Sequence, residues 1–326
     1  MAVHSMSAAV PDRAVSLRVS VTSRCQLRCL YCMPGSTAPA SSLRPPLCRW
    51  DVLYLAQVLK RHWGLKKVHL TGGEPLLHRD ILALVECLSA EGVGELALTT
   101  NGQVLSSLAA SLRRAGLPRI NVSLDSLRAS TFGCLTRGGK LQHTLAGIDA
   151  ALEAGLRPVK VNMTVLRGIN DDEVTDIAKF ALERGCHVRF LELMPIGPAA
   201  GHFDQWFVPS EEVRQQLSPV FSFRPLPTGP GGSSRDFLIR SENGLEGNVG
   251  FISSHSAPFC GLCRRLRLTV EGDLVGCLAL GKGISLGRSL RNHAEPALVK
   301  RIGCALQCKR KRFTFPTKRL MAAMGG

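Results

Sequence analysis

Three cysteines stand in "SVTSRCQLRCLYCMPG" (residues 20–35), where Cys25, Cys29 and Cys32 are spaced C-x-x-x-C-x-x-C. A second trio, Cys260, Cys263 and Cys277, follows the spacing C-x-x-C-x13-C near the other end of the chain. Thiolates suit zinc and iron–sulfur clusters, and a closed metal site wants four ligands. A four-iron cluster on three cysteines leaves one iron open to an outside ligand. Zinc with a remote fourth ligand is the competing reading, and Cys304 or Cys308 in "CALQCKRKRF" is a candidate to close the second group. In "TGGEP" (71–75) the glycines allow backbone to approach a ligand closely, and Glu74 offers a carboxylate to an ammonium group. Cys48, Cys87, Cys134 and Cys186 occur singly and are expected to be buried small hydrophobes.

The elements that must position these groups are short strands alternating with helices. "SLRVSV" (16–21), "KKVHLT" (66–71), "ELALTT" (95–100), "RINVSL" (119–124), "PVKVNMTV" (158–165) and "HVRFLEL" (187–193) read as strands. Val52, Leu55, Ala56, Leu59 and Trp63 share a helical face, as do Leu141, Leu145, Ile148 and Leu152. "NDDE" (170–173) reads as a capping box before Val174, Ile177, Ala178 and Ala181. Alternation puts Arg18 and Ser20 on one strand face, with Lys67, His69 and Thr71, then Asn121, Ser123 and Asp125, then Lys160, Asn162 and Thr164. The opposite faces are apolar. A closed eight-stranded barrel fills its interior with branched apolar side chains. Here the polar face would line the inside, so the fold class expected is α/β, an incomplete (βα)6 TIM-like barrel around a polar cavity. Beyond Met194 the chain becomes rich in Gly and Pro, with a short helix near 210–217 and strand-like "DFLIR" and "GNVGFIS". The expected organisation is a partial barrel over 1–215 and a smaller, irregular carboxy-terminal region over 216–326 carrying the second cysteine group.

Composition narrows the function. The chain has 326 residues, 45% of them hydrophobic, enough to bury a large core. It contains no run of eighteen apolar residues, and the first twenty lack a signal-peptide stretch, so a soluble, cytoplasmic protein with no membrane role is expected. Twelve cysteines in that setting point to metal or redox chemistry rather than to disulfides. The net charge is +16, and from Pro258 onward fourteen Lys and Arg stand against Glu271, Asp273 and Glu295. Such a tail suits nucleic acid, an acidic partner or a polyphosphate. Aromatic residues make up only 5% of the chain and offer few stacking platforms, against nucleic acid.

The cysteine spacing directly after the first strand, followed by Gly-Gly-Glu-Pro after the second, resembles the radical S-adenosylmethionine (SAM) superfamily. Within it, "LRVSVTSRCQLRCLYCMP", "LTGGEPLL", "LTTNG", "INVSLDSL", "PVKVNMTVLRGIND", "VRFLELMPIG", "FCGLCRRLRLTVEGDLVGCL" and the terminal "MAAMGG" are similar to the molybdenum cofactor biosynthesis protein A family, the GTP 3′,8-cyclases. The resemblance implies two [4Fe–4S] clusters, each held by three cysteines. SAM would complete the first, and the guanine base of GTP the second. It implies hydrogen abstraction from the GTP ribose by a 5′-deoxyadenosyl radical and attack of the resulting carbon radical on guanine carbon 8. Tyr31, Gly73, Ser123 and Met194 would bind SAM, with Glu74 a further contact. Arg18, His69, Thr99, Lys160, Arg265, Leu266 and Arg267 would bind GTP, and the tail Gly325 and Gly326 would reach the active site. A homodimer, an external electron donor and a downstream cyclic pyranopterin monophosphate synthase are the implied partners. The chain departs from the family pattern at His69, where Arg is usual, and at Arg264, where Asn is usual. Ser23 and Gln26 replace the common Asp and Asn. A peptide-modifying radical enzyme, a zinc protein and a cluster-binding homologue without turnover remain competing readings.

Overall fold

The computed structural model describes residues 14–34, 47–227, 232–280 and 283–309. Six strands follow the chain in order: β1 (Ser16–Ser20), β2 (Lys67–Thr71), β3 (Glu95–Thr100), β4 (Arg119–Ser123), β5 (Val159–Val165) and β6 (His187–Glu192). Each pairs in parallel with the next. Helices α1 (Arg49–Trp63), α2 (Ile81–Ala90), α3 (Leu105–Arg114), α4 (Ala129–Thr136), α5 (Leu141–Glu153) and α6 (Val174–Glu183) make the crossovers. The apolar strand faces explain this wrapping. Leu17, Val19, Val68, Leu70, Ile120, Val122, Val161, Val188 and Phe190 are buried against Val52, Leu55, Leu59, Leu88, Ile148 and Ile177 of the helices. Each such side chain contributes about 1.5–3 kcal/mol when fully buried.

After α7 (Phe203–Trp206) and α8 (Ser210–Leu217) come β7 (Phe221–Pro225), β8 (Arg235–Ser241), β9 (Glu246–Ile252), β10 (Arg265–Leu268), β11 (Asp273–Val275) and β12 (Ile284–Ser285). The chain then forms α9 (Gly287–Arg291) and α10 (Glu295–Gln307). These later strands extend the same sheet at both ends, giving twelve strands in the order β12-β11-β10-β1-β2-β3-β4-β5-β6-β9-β8-β7. β10 runs parallel to β1, and β9 runs parallel to β6. Among the described residues the sheet does not close on itself through hydrogen bonds. The partial-barrel expectation therefore holds, with a sheet longer than six strands.

Two local expectations fail. Asn170 makes no cap to α6. Its amide instead accepts from Leu166 N at 2.7 Å and donates to Asp125 O and Thr164 O. Glu173 turns away to accept from Leu127 N at 2.7 Å and Ser126 Oγ at 2.7 Å, tying the β4 exit loop to the helix. Of the single cysteines only Cys186 is buried, Cys87 is half-buried, and Cys48 and Cys134 are exposed. Among the described residues no helix is long and apolar enough to cross a membrane.

Candidate functional site: two cysteine groups and a cationic cavity

Strand polarity puts the two cysteine groups at opposite ends of one strand pair. Cys25, Cys29 and Cys32 follow the carboxy end of β1, whereas Cys260 and Cys263 precede the amino end of β10, where Arg265 is in register with Ser16. Cys277 joins them because β11 runs back antiparallel to β10. At about 3.3 Å per residue, the intervening strand separates the groups by roughly 13 Å or more.

The first cysteine loop is held on several sides. Arg28 N and Leu30 N donate to Thr136 O and Leu135 O at the end of α4. Cys32 N and Met33 N donate to Cys29 O. Tyr31 Oη donates to Asp125 Oδ2 at 2.6 Å, and Thr164 N donates to Asp125 Oδ1 at 2.8 Å. Burial pushes the Asp125 carboxyl up to about 6, against these two hydrogen bonds. The Cys29 thiol is raised well above its ordinary value by burial, then by Cys32, Asp125 and Cys25, so the three sulfurs share one neighbourhood.

Gly73 packs on this loop rather than standing open. Gly73 N donates to Thr22 O and Glu74 N to Arg24 O, both at 2.7 Å. A Cβ on Gly73 would lie 2.3 Å from Arg24 O, so only glycine fits this approach. Glu74 is buried, with both carboxylate oxygens engaged: Oε1 accepts from Leu76 N and Thr100 Oγ1, and Oε2 accepts from Asn101 N. Burial lifts it to about 7 despite these three donors. Both residues therefore brace the cysteine loop against the β3 exit. Asn101, which the sequence reading did not single out, links the two parts by donating from Nδ2 to Cys25 Sγ at 3.7 Å.

At the other end, Cys260, Cys263 and Cys277 line a cavity of about 340 Å³ together with Arg18, Lys67, His69, Arg189, Met194, Arg265 and Arg267. That volume lies within the usual range for small-molecule sites. The sheet register stacks the cations: Arg18 is opposite Arg267 on one side and His69 on the other, and Ser16 lies between Arg265 and Lys67. Like charges on adjacent strands repel by on the order of 3 kcal/mol at an effective dielectric of about 20. Burial and then Arg267 and Arg265 lower Arg18 well below the guanidinium range, and burial with Arg265 brings Arg267 to about 9. Lys67 and Lys160 fall to about 8, in each case through burial first and neighbouring cations second. His69 is pushed well below its ordinary value by burial and then by Arg18, so it is neutral, and its Nε2 lies 2.6 Å from Thr99 Oγ1. Arg18 Nε, Asn121 Oδ1, Asn162 Oδ1 and Ser254 Oγ are buried with no hydrogen-bond partner among the described residues. A cavity that crowds cations and leaves donors and acceptors unmet is built for a polar anion.

Not every expected residue borders this cavity. Lys160 and Thr99 are in register with Asn121, which lines it, Lys160 lying between Asn121 and His187. The Leu266 side chain is fully buried in the apolar core opposite Leu17, leaving only its backbone toward the site. Ser123 is paired with Asn162 in the row nearest the first cysteine loop. Gly325 and Gly326 lie outside the described residues. Lys67 and Arg189 were missed as site residues, although period-two alternation in their strands carries both to the polar face. Arg189 faces Asp236 across Gly250, where a Cβ would lie 2.5 Å from Asp236 Oδ1. Cys304 and Cys308 are exposed. The residue from the end of α10 that reaches the second cysteine group is Lys309, whose Nζ lies 3.8 Å from Cys263 Sγ. Among the described residues no three His, Cys, Asp or Glu side chains are arranged to hold a single metal ion. Soft thiol triads on short loops, braced by backbone hydrogen bonds and by a glycine contact that a Cβ would break, fit iron–sulfur clusters.

Comparison with known proteins bears on the same geometry. Residues 19–181 match the model of the Radical SAM superfamily, and residues 186–315 match that of Molybdenum Cofactor Synthesis C. A GTP 3′,8-cyclase of Moorella thermoacetica is 43% identical over 277 residues, covering 84% of each chain. One from Ectopseudomonas mendocina is 40% identical over 324 residues, covering 96% of each. Molybdenum cofactor biosynthesis protein 1 of Drosophila melanogaster is 38% identical over 309 residues, 93% of this chain and 54% of that protein. The crystal structure of Streptococcus suis SuiB bound to its precursor peptide SuiA superposes with a TM-score of 0.65 at 14% identity, over 96% of this chain and 70% of that one. At that identity the likeness concerns the fold alone.

Proposed function

The chain belongs to the GTP 3′,8-cyclase family of the radical SAM superfamily, and from that premise we propose that it converts GTP to 3′,8-cyclo-7,8-dihydro-GTP, the first step of molybdenum cofactor biosynthesis. The observation that carries this reading is the cluster of half-buried Arg18, Lys67 and Arg265 around the buried Arg267, in the cavity lined by the second cysteine group. A polyanion would offset the mutual repulsion of these cations.

In this reading Cys25, Cys29 and Cys32 hold one [4Fe–4S] cluster and Cys260, Cys263 and Cys277 hold the other. When bound, the first cluster with SAM would supply hydrogen-atom abstraction from the GTP ribose, and Cys260, Cys263 and Cys277 would hold the second beside the guanine. The protein's own part is placement. Arg18, Lys67, Arg189, Arg265 and Arg267 engage the triphosphate, with Lys160 adding its charge from beside Asn121. Guanidinium forks fit phosphate oxygens in pairs, and the lysines act as point charges. His69, being neutral, donates one hydrogen bond and no charge. Tyr31, Gly73, Ser123 and Met194 bind SAM, with Glu74 a further contact, and Tyr31, Gly73 and Glu74 also hold the cysteine loop in shape. The reading also takes the carboxy-terminal region from 216 as the part that carries the second cluster, with Gly325 and Gly326 reaching the site. It further takes the protein as a cytoplasmic homodimer served by an external electron donor and followed by a cyclic pyranopterin monophosphate synthase.

The test is anaerobic incubation of reconstituted protein with GTP, SAM and dithionite, read by mass spectrometry. The cyclised nucleotide and 5′-deoxyadenosine together are expected. Deoxyadenosine without a nucleotide product would place the substrate elsewhere.

A further inference from the structure

Among the described residues, a cation just past the carboxy-terminal helix reaches the second cysteine group. Lys309 lies two residues past the end of α10, and its Nζ donates to Arg265 O at 2.6 Å, to Gly276 O at 2.7 Å and toward Cys263 Sγ at 3.8 Å. An ammonium has three protons, and these are three acceptors. The two carbonyls belong to the first residue of β10 and to the residue just before Cys277. They fix the ammonium against backbone that adjoins two of the three cysteines, and so aim the remaining proton at sulfur. The first group differs, because Cys25 Sγ accepts from Leu27 N and from the Asn101 amide, both neutral donors.

We propose that Lys309 is a positioning residue for the second cluster, holding the Cys263 thiolate by a charge-assisted hydrogen bond and raising that cluster's reduction potential. The proposal rests on the reading that Cys260, Cys263 and Cys277 carry a cluster. One-electron reduction adds a negative charge to the cluster and its thiolates. A fixed N–H donor bearing positive charge, close to a ligand sulfur in a buried setting, stabilises the reduced form more than the oxidised one. A neutral side chain at this position removes that preference and frees the 263–265 and 276–277 backbone from a shared anchor.

The experiment uses the full chain with Cys25, Cys29 and Cys32 all changed to Ala, so that only the second site can load. After anaerobic reconstitution, iron and sulfide are counted, and the reduced cluster is followed by electron paramagnetic resonance during titration with dithionite as the one-electron donor. Lys309→Met in this background is expected to keep its cluster but to show about a tenfold lower ratio of reduced to oxidised form at a fixed poise, about 59 mV for one electron. Lys309→Arg is expected to stay near the parent. Loss of the cluster from Lys309→Met with retention in Lys309→Arg also supports the assignment. An unchanged potential in Lys309→Met, or equal losses in both variants, overturns it. A parent protein with no iron would instead sink the cluster reading, and this proposal with it.

Discussion

Changing Gly73 to Ala tests whether the Gly-Gly-Glu turn braces the first cysteine loop. The new Cβ would sit 2.3 Å from Arg24 O and 2.8 Å from Ser23 O, so loop and turn must part by close to an ångström. The two 2.7 Å bonds, Gly73 N to Thr22 O and Glu74 N to Arg24 O, lengthen or break in consequence. Two backbone hydrogen bonds contribute about 0.5–1.5 kcal/mol each, and overpacking costs a further 1–3 kcal/mol or so. The sum is roughly 2–6 kcal/mol, concentrated at the loop that carries Cys25, Cys29 and Cys32. Gly261 is the control, since a Cβ there meets nothing within 4 Å although it lies inside the second cysteine motif. With Cys260, Cys263 and Cys277 changed to Ala to isolate the first site, Gly73→Ala should lose most of its iron and melt several degrees lower. In the complementary background, with only the second site left, Gly261→Ala should load as the parent does. Full iron and an unshifted melting curve in Gly73→Ala would refute the bracing argument.

Other perturbations probe the cavity. Lys160→Met should raise the KM for GTP about tenfold with a smaller change in kcat, as expected for one partly solvated charge to phosphate. Lys160 and Lys67 lose their protons near pH 8 in the empty site, and anion binding needs the charged forms. Hence kcat/KM for GTP should fall as pH rises above about 8, and Lys160→Met should flatten that fall. Tyr31→Phe strips a 2.6 Å donor from the buried Asp125 carboxylate and should cost about 1.5–3 kcal/mol in urea denaturation at pH 8. Asp125 in the folded protein titrates near 6, above its ordinary 3.8, so its ionisation penalty is absent below about pH 4 and complete above 6. The Tyr31→Phe deficit should therefore shrink at pH 5, and a deficit independent of pH would contradict this. His69→Arg puts a cation beside Arg18 where a neutral ring now stands, so the apo chain should lose about 1–3 kcal/mol of stability while GTP binds several-fold more tightly at low salt. Calorimetry at two ionic strengths would show it.

The parts legible in the sequence were those set by local periodicity. Six parallel strands, their polar faces and the helices over them follow from alternation at two and at 3.6 residues. The pairing of β10 with β1 joins residues about 250 positions apart, and no local pattern carries that register. For the same reason Lys67 and Arg189 went unassigned, although each lies on the polar face of its strand. The capping box at 170–173 failed because Asn170 and Glu173 satisfy donors and acceptors of the β4 and β5 exit loops. Buried backbone groups at a strand end outbid a helix terminus that a 3₁₀ turn can start unaided. Gly73 and Glu74 also make close contacts with protein backbone and Thr100, which their local sequence does not announce. A single sequence does not distinguish a glycine that admits a ligand from one that admits another loop.

The most direct test of the central claim is turnover of GTP deuterated at the ribose 3′ position, under anaerobic conditions with SAM and dithionite. Two loaded cysteine groups flanking a cationic GTP site predict deuterium in the 5′-deoxyadenosine, formed together with the cyclised nucleotide. Deoxyadenosine without deuterium, and GTP recovered intact, would contradict it.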